Sequence, residues 1–207
     1  MEFHDVPRTL LLLPRMVAPM SNRPRYAPLM PVAGARAHLL VTDHAVPAAQ
    51  AFDPRCSEND FAERWTVVAH AMVLPQPFGG PGVQHFRSAS HLLALLRHRL
   101  GAETMGLRLY VAGSEPFVWD AARVAFDAGM GREELHLFAC GQPLRRVWCV
   151  HCRTVNPGVT TTVATCAGCG VSLSVRDHFS RAQNAWMGVQ CDAEVPGDVP
   201  AIKDLSA

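Results

Sequence analysis

The rhythm of hydrophobic positions changes several times between residues 37 and 141. AHLLVTDH (37–44) and RWTVVAHAMV (64–73) are short runs rich in Val and Leu, as strands are. SASHLLALLRHRL (88–100) instead repeats at i, i+3 and i+4, which places Ala89, Leu92, Leu93, Leu96 and Leu100 on one helical face. Ser88 or Ser90 can cap that helix by accepting a bond from a free N–H of its first turn, and Gly101 is expected to end it. GLRLYVAGSE (106–115) is a near-continuous apolar strand turning at Gly113. PFVWDAARVAFDAGM (116–130) follows as a helix with Pro116 in the first turn, where its missing N–H costs nothing. Phe117, Ala121, Val124 and Ala128 form its expected buried stripe. Gly129 and Gly131 stop it, and ELHLFACG (134–141) gives another strand, while 52–60 and 75–83 read as loops. Strands alternating with helices predict an α/β domain over 36–145, a small parallel sheet flanked by helices.

The flanks differ. Residues 1–35 carry Pro7, Pro14, Pro19, Pro24, Pro28 and Pro31 among scattered Leu, Met and Arg. Proline fixes φ and donates no hydrogen bond, so this stretch predicts an extended arm lying on its own domain or on a partner. The apolar run in PRTLLLLPRM is a short strand or a patch on that arm, far below the roughly 20 residues of a membrane span. Glu2 and Asp5 precede it, unlike the basic start of a secretory leader. The polar tail 191–207, with Pro196 and Pro200, is expected to be loosely held. With 49% hydrophobic and 18% charged residues a packed core is feasible, and 19 Lys and Arg stand against 18 Asp and Glu. That balance lacks the basic excess of a nucleic-acid protein and suits a subunit among protein neighbours. Seven cysteines, four of them in metal spacing, fit a reducing cytoplasm.

CVHCRTVNPGVTTTVATCAGCG (149–170) sets Cys149, Cys152, Cys166 and Cys169 in C-x2-C-x13-C-x2-C spacing. Each pair can grip one ion from a tight turn, and two such turns complete a tetrahedron of thiolates. Gly170 after the second pair can take φ > 0 freely, and Arg153 follows the first. Asn156-Pro157-Gly158 reads as a turn and VTTTVAT is β-branched, which predicts a hairpin, with VSLSV as a third strand. The pattern over 146–190 looks like a zinc ribbon. Zinc in such a cage is redox-silent and contributes folding energy, on the order of 10–16 kcal/mol in small zinc peptides. Iron in the same cage would carry electrons, as in rubredoxin, whose paired knuckles resemble these. Rubredoxin's second pair usually reads C-P-x-C-G and lies further from the first, so structural zinc is favoured and iron is the alternative. His151 is expected to face solvent, Cys140 and Cys191 to be lone thiols, and Cys56 to be an exposed one.

Residues 106–138 resemble the end of the nicotinamide-binding lobe of ferredoxin–NADP reductase-type proteins, with Gly113, Pro116 and Phe138 matching parts of the pattern. Ala112 stands where that family has a cysteine beside the nicotinamide, and the first strand leads into VTDHAVPAAQAF without a Gly-x-Gly turn. Asp43 would set a negative charge where phosphates should sit. No flavin-binding motif appears, so no cofactor-binding residue is assigned.

A degenerate reductase-like lobe followed by a four-cysteine ribbon resembles the small subunit of bacterial dimethylamine monooxygenase, the DmmA-like family. GSEPFVWDAARVAFDAG and VWCVHCRTVNPG…CAGCGVSLSVRDHFSRAQNAWMGV carry the resemblance. It implies a hetero-oligomeric oxidoreductase that uses NAD(P)H and oxygen to convert dimethylamine to methylamine and formaldehyde. Larger oxygenase and reductase subunits would be the partners, carrying the flavin, iron–sulfur and haem groups. This chain would be an accessory subunit organising them, and only the four cysteines carry over as site residues. DHFSRAQNAWMGVQ (177–190) offers Phe179, Trp186 and Met187 either for docking a partner or for covering the ribbon's own small core. No Ser/His/Asp or Cys/His arrangement is discernible and the ten histidines are dispersed, so no catalytic residue is assigned.

Overall fold

Leu39, Leu40 and Val41 are apolar at consecutive positions because the strand they form is covered on both faces. The computed structural model describes residues 22–43, 48–68 and 82–205. Within them β1 (Ala37–Thr42), β2 (Glu63–Val67), β3 (Val83–Phe86), β4 (Leu107–Gly113) and β5 (Leu135–Ala139) form a parallel sheet in the order β3-β2-β1-β4-β5. Its helices are α1 (Ala48–Ala51), α2 (Ala89–Gly101) and α3 (Glu115–Asp127). Leu39, Val41, Leu109 and Val111 share a core with Leu92, Leu96, Phe117 and Ala121 of α2 and α3. Leu40, Tyr110 and Ala112 alternate to the opposite face, where Leu29, Ala51, Phe52 and Phe61 cover them. Leu29 is 2% exposed and bridges to Phe52, so this part of the arm supplies the cover that a long helix gives elsewhere. The leucine run and the rest of residues 1–21 lie outside the described residues.

Several boundaries depart from expectation. Ser88 is the cap of α2, accepting from His91 N–H at 3.3 Å, but the helix includes Gly101 and is capped at Ala102. Val83–Phe86, whose first residue fell within the expected loop 75–83, is a strand because β2 pairs with it from Arg64 to Val67. The expected strand 64–73 is described only to Val67, and 69–73 lie outside the described residues. Ala128 is exposed beyond the end of α3. In its place Val118, Trp119, Ala122 and Ala125 are buried, because α3 is packed on two sides.

The second side is a five-stranded sheet. β6 (Arg145–Cys149), β7 (Val155–Val159), β8 (Val163–Thr165), β9 (Ser172–Ser180) and β10 (Ala185–Gln190) take the order β7-β6-β10-β9-β8. β6 and β10 run parallel and the other neighbours antiparallel. Asn156-Pro157-Gly158 lies inside β7 rather than at a turn, where the β6 pairing slips between Arg145 and Val147 and Gly158 takes φ 71°. Phe179 and Trp186, each 3% exposed, belong to the core of the first sheet. Phe179 lies 4.9 Å from the Trp119 ring centre and 5.4 Å from that of Trp186. These side chains therefore seal the second sheet onto α3 and are not free to dock a partner. Burial of each contributes roughly 1.5–3 kcal/mol.

A polar seam completes the junction. Glu115 accepts from Tyr26 O–H (3.0 Å) and Trp186 Nε1–H (2.6 Å), and Tyr26 accepts from Trp119 Nε1–H (3.0 Å). Arg146 pairs with Asp120, and the Arg145 guanidinium lies 3.8 Å over the Trp186 ring. The tail is held more firmly than its composition suggested. Thr162 N–H donates to Lys203 O (2.7 Å), Leu205 N–H donates to Thr160 O (2.8 Å), and Leu205 is buried. Among the described residues no helix is long and apolar enough to cross a membrane.

Candidate metal centre

The same pair of backbone bonds folds each Cys-x-x-Cys. Cys149 N–H donates to Thr154 O (2.9 Å) and Arg153 N–H to Cys149 O (2.8 Å). Cys166 N–H donates to Val171 O and Gly170 N–H to Cys166 O, both at 2.9 Å. Such a turn needs a left-handed residue after the second cysteine. Gly170 adopts φ 76° freely, whereas Arg153 adopts φ 66° at a cost of about 1–2 kcal/mol.

β6 ends in Cys149 and β8 leads into Cys166, so the two turns face each other. Cys152 and Cys166 Sγ are 3.5 Å apart, Cys149 and Cys169 Sγ 3.9 Å, and all four sulfurs lie within 4.8 Å of one another. A tetrahedron with metal–sulfur bonds of about 2.3 Å has edges of about 3.8 Å. The cage fits such an ion, and its separations far exceed the roughly 2.0 Å of a disulfide. Zinc and iron share this geometry. Cys149 and Cys166 are buried, Cys152 and Cys169 half-buried. Four thiolates complete the tetrahedron and leave no position for water or substrate.

The surroundings favour the thiolate at Cys166 and Cys152, whereas burial and the three neighbouring sulfurs push the Cys169 thiol up to about 12 in the absence of a cation. Gly168 N–H approaches Cys166 Sγ at 3.4 Å, and the Thr154 hydroxyl lies 3.3 Å from Cys152 Sγ. Backbone N–H groups, that of Cys169 first, pull the Cys166 thiol down to about 6, and the Thr154 hydroxyl lowers that of Cys152. A Cβ on Gly168 would overlap the Thr154 side chain. Buried Asn156 ties the two turns together: its Nδ2 donates to Val147 O at 3.1 Å and its Oδ1 accepts from Ala167 N–H at 2.7 Å. Sequence reasoning assigned that residue to a turn and missed this role.

His151 is exposed, as expected, and Cys140 and Cys191 stand outside the cage. Cys56 is not the exposed thiol expected of a polar loop. It is half-buried with its S–H directed at Leu29 O (3.2 Å), because the arm lies over it. Of the ten histidines, His4, His44 and His70 lie outside the described residues.

The other place where an α/β sheet of this order offers chemistry is the crevice at the carboxyl ends of β1 and β4, where the strand order reverses. Asp43 fills it. Its buried carboxylate accepts from Ser114 N–H at 2.8 Å, at the positive end of α3. A Cβ on Gly113 would overlap that carboxylate. An internal anion thus sits where a dinucleotide fold receives its phosphates. Burial, with Asp43 nearby, pushes the Cys140 thiol up.

Comparison with known proteins agrees with both halves. Residues 18–135 match the N-terminal domain, and residues 146–189 the C-terminal domain, of the dimethylamine monooxygenase subunit DmmA-like family. The chain is also similar to a protein of Ectopseudomonas mendocina (strain ymp) named heme-dependent oxidative N-demethylase delta subunit. The two are 39% identical over 111 residues, which cover 54% of this chain and 63% of the relative. No solved structure matches the chain. The match to the N-terminal domain alone spans more than half of the chain and the second match covers the four-cysteine sheet, so the chain belongs to the dimethylamine monooxygenase subunit DmmA-like family.

Proposed function

We propose that the chain is an accessory subunit of a multi-subunit, NAD(P)H-dependent amine monooxygenase that converts dimethylamine to methylamine and formaldehyde. Its role is to hold reductase and oxygenase subunits together in the cytoplasm, with flavin, iron–sulfur and haem groups on those partners. The reductase-like unit spans 36–145 and the ribbon 146–190, with Cys149, Cys152, Cys166 and Cys169 holding a structural zinc ion.

The observation that carries this reading is that both candidate sites are closed. The cage offers four sulfurs and no open ligand position. The crevice holds the chain's own carboxylate, Asp43, in the place of a phosphate. The family match and the relative's name as a delta subunit support assembly with other subunits. Near-balanced charge, 19 basic against 18 acidic residues, argues against a nucleic-acid partner.

Co-expression with the larger subunits, followed by size separation and elemental analysis, tests the proposal. A stable complex and one zinc per chain are expected. A chain that ignores both partners refutes the subunit role. Iron, with visible charge-transfer absorption and a reversible potential, would replace the scaffold with a rubredoxin-like electron-transfer subunit.

A further inference from the structure

Between the arm at 24–29, the outward side of α3 and β5 lies an open cleft of about 870 Å³. Its floor is apolar, formed by Trp119, Phe126, Leu135 and Leu137. Its rim is cationic: Arg25, Arg123, Arg132 and Arg181 line it against one carboxylate, Asp127. All four arginines are exposed, and none forms an ion pair among the described residues. Arg123 donates to Ala182 O (2.9 Å), and the Arg181 guanidinium lies 5.9 Å from the Trp119 ring centre. These charges come from the arm, α3, the loop before β5 and the loop between β9 and β10, so they surround the cleft rather than cluster at one point.

β5 borders the cleft as the last strand of its sheet. It pairs with β4 along one edge, and among the described residues no strand pairs along the other. An unpaired edge beside apolar side chains is a template for a further strand. A small anion would use the arginines but leave the edge unanswered.

We infer that the outer edge of β5 and its arginine rim receive an extended acidic segment of a neighbouring subunit, laid alongside β5. The segment's backbone supplies the strand pairing, its apolar side chains enter the floor between Phe126 and Leu137, and its carboxylates meet Arg25 and Arg132. The inference rests on the subunit role proposed above and names the chemistry of one contact.

The test compares the wild-type chain with the Arg25→Glu/Arg132→Glu variant, each co-expressed with the larger subunits. Both positions are exposed and outside the metal cage, so metal content and melting temperature should be unchanged. Charge reversal is expected to weaken assembly by at least about tenfold at low salt, with the difference shrinking as salt rises. Hydrogen exchange at 135–139 should slow in the wild-type complex relative to the free chain. Equal assembly of variant and wild type, or equal exchange at 135–139 free and bound, overturns the inference. So does slowing of that exchange by ADP alone, or its acceleration in the free chain on deletion of residues 1–21, since either names another occupant. A wild-type chain that joins no partner refutes the subunit role instead.

Discussion

Asn156→Ala tests how far the cage depends on groups that never touch the ion. The side chain joins β6 to the second cysteine turn through Nδ2 to Val147 O (3.1 Å) and Ala167 N–H to Oδ1 (2.7 Å). Its Nδ2 also lies 3.7 Å from Cys166 Sγ. Alanine deletes both bonds. Ala167 is exposed, so water can reclaim its N–H, and that loss is about 1 kcal/mol. Val147 is fully buried, where water cannot replace the lost donor, at a cost of about 1–3 kcal/mol. The sum, about 2–4 kcal/mol, corresponds at its lower end to roughly 30-fold weaker metal retention. Loss of a partner outside the ligand sphere typically costs about 10–100-fold. Competition for zinc against a chromophoric chelator measures the affinity, and thermal denaturation with metal bound measures the fold. A variant within about twofold of wild type, melting at the same temperature, would refute the clamp.

Gly168→Ala is expected to loosen the cage by driving a methyl group into Thr154 and toward Cys152 Sγ, read as metal content after gel filtration; full retention counts against the close approach. Asp43→Ala removes the acceptor for Ser114 N–H and should cost about 1–2 kcal/mol in urea unfolding, and an unchanged midpoint would contradict it. His38 Nδ1 lies 3.0 Å from Tyr110 Oη, and His136 stacks on that ring at 4.7 Å. Burial, with Arg108 nearby, holds both imidazoles below their ordinary range. The unfolded chain then binds more protons as pH falls below about 6.5, so stability declines from there down through the depressed folded values. The melting temperature should fall between about pH 7.5 and 5.5, and fall less in His136→Phe; identical slopes exclude the assignment.

The parts legible in sequence were those where one physical demand repeats. Leu92, Leu96 and Leu100 repeat at helical spacing, and consecutive apolar residues in β1 and β4 announce strands covered on both faces. Cys149, Cys152, Cys166 and Cys169 were legible because two short turns each fix a pair of sulfurs, whatever lies between. Demands set by distant partners were not. Val83–Phe86 is too short to display a period and becomes a strand through pairing with β2. Asn-Pro-Gly carries a turn signal that the β6 ladder overrides by absorbing it as an irregularity. Asn156 shares its type with ordinary turn residues, so its bond to Ala167 was invisible locally. Phe179 and Trp186 could be recognised as large apolar groups, but only the packing of α3 against β9 and β10 shows what covers them.

If the cage holds the proposed zinc ion, that packing would make metal supply a control on the whole polypeptide. Trp119 on one side, and Phe179 and Trp186 on the other, would be left wet by a cut near residue 145, so separately expressed halves should aggregate. On the proposed function, a cell short of the ion would by the same logic forfeit the entire subunit, and with it any oxygenase that waits for this chain to assemble.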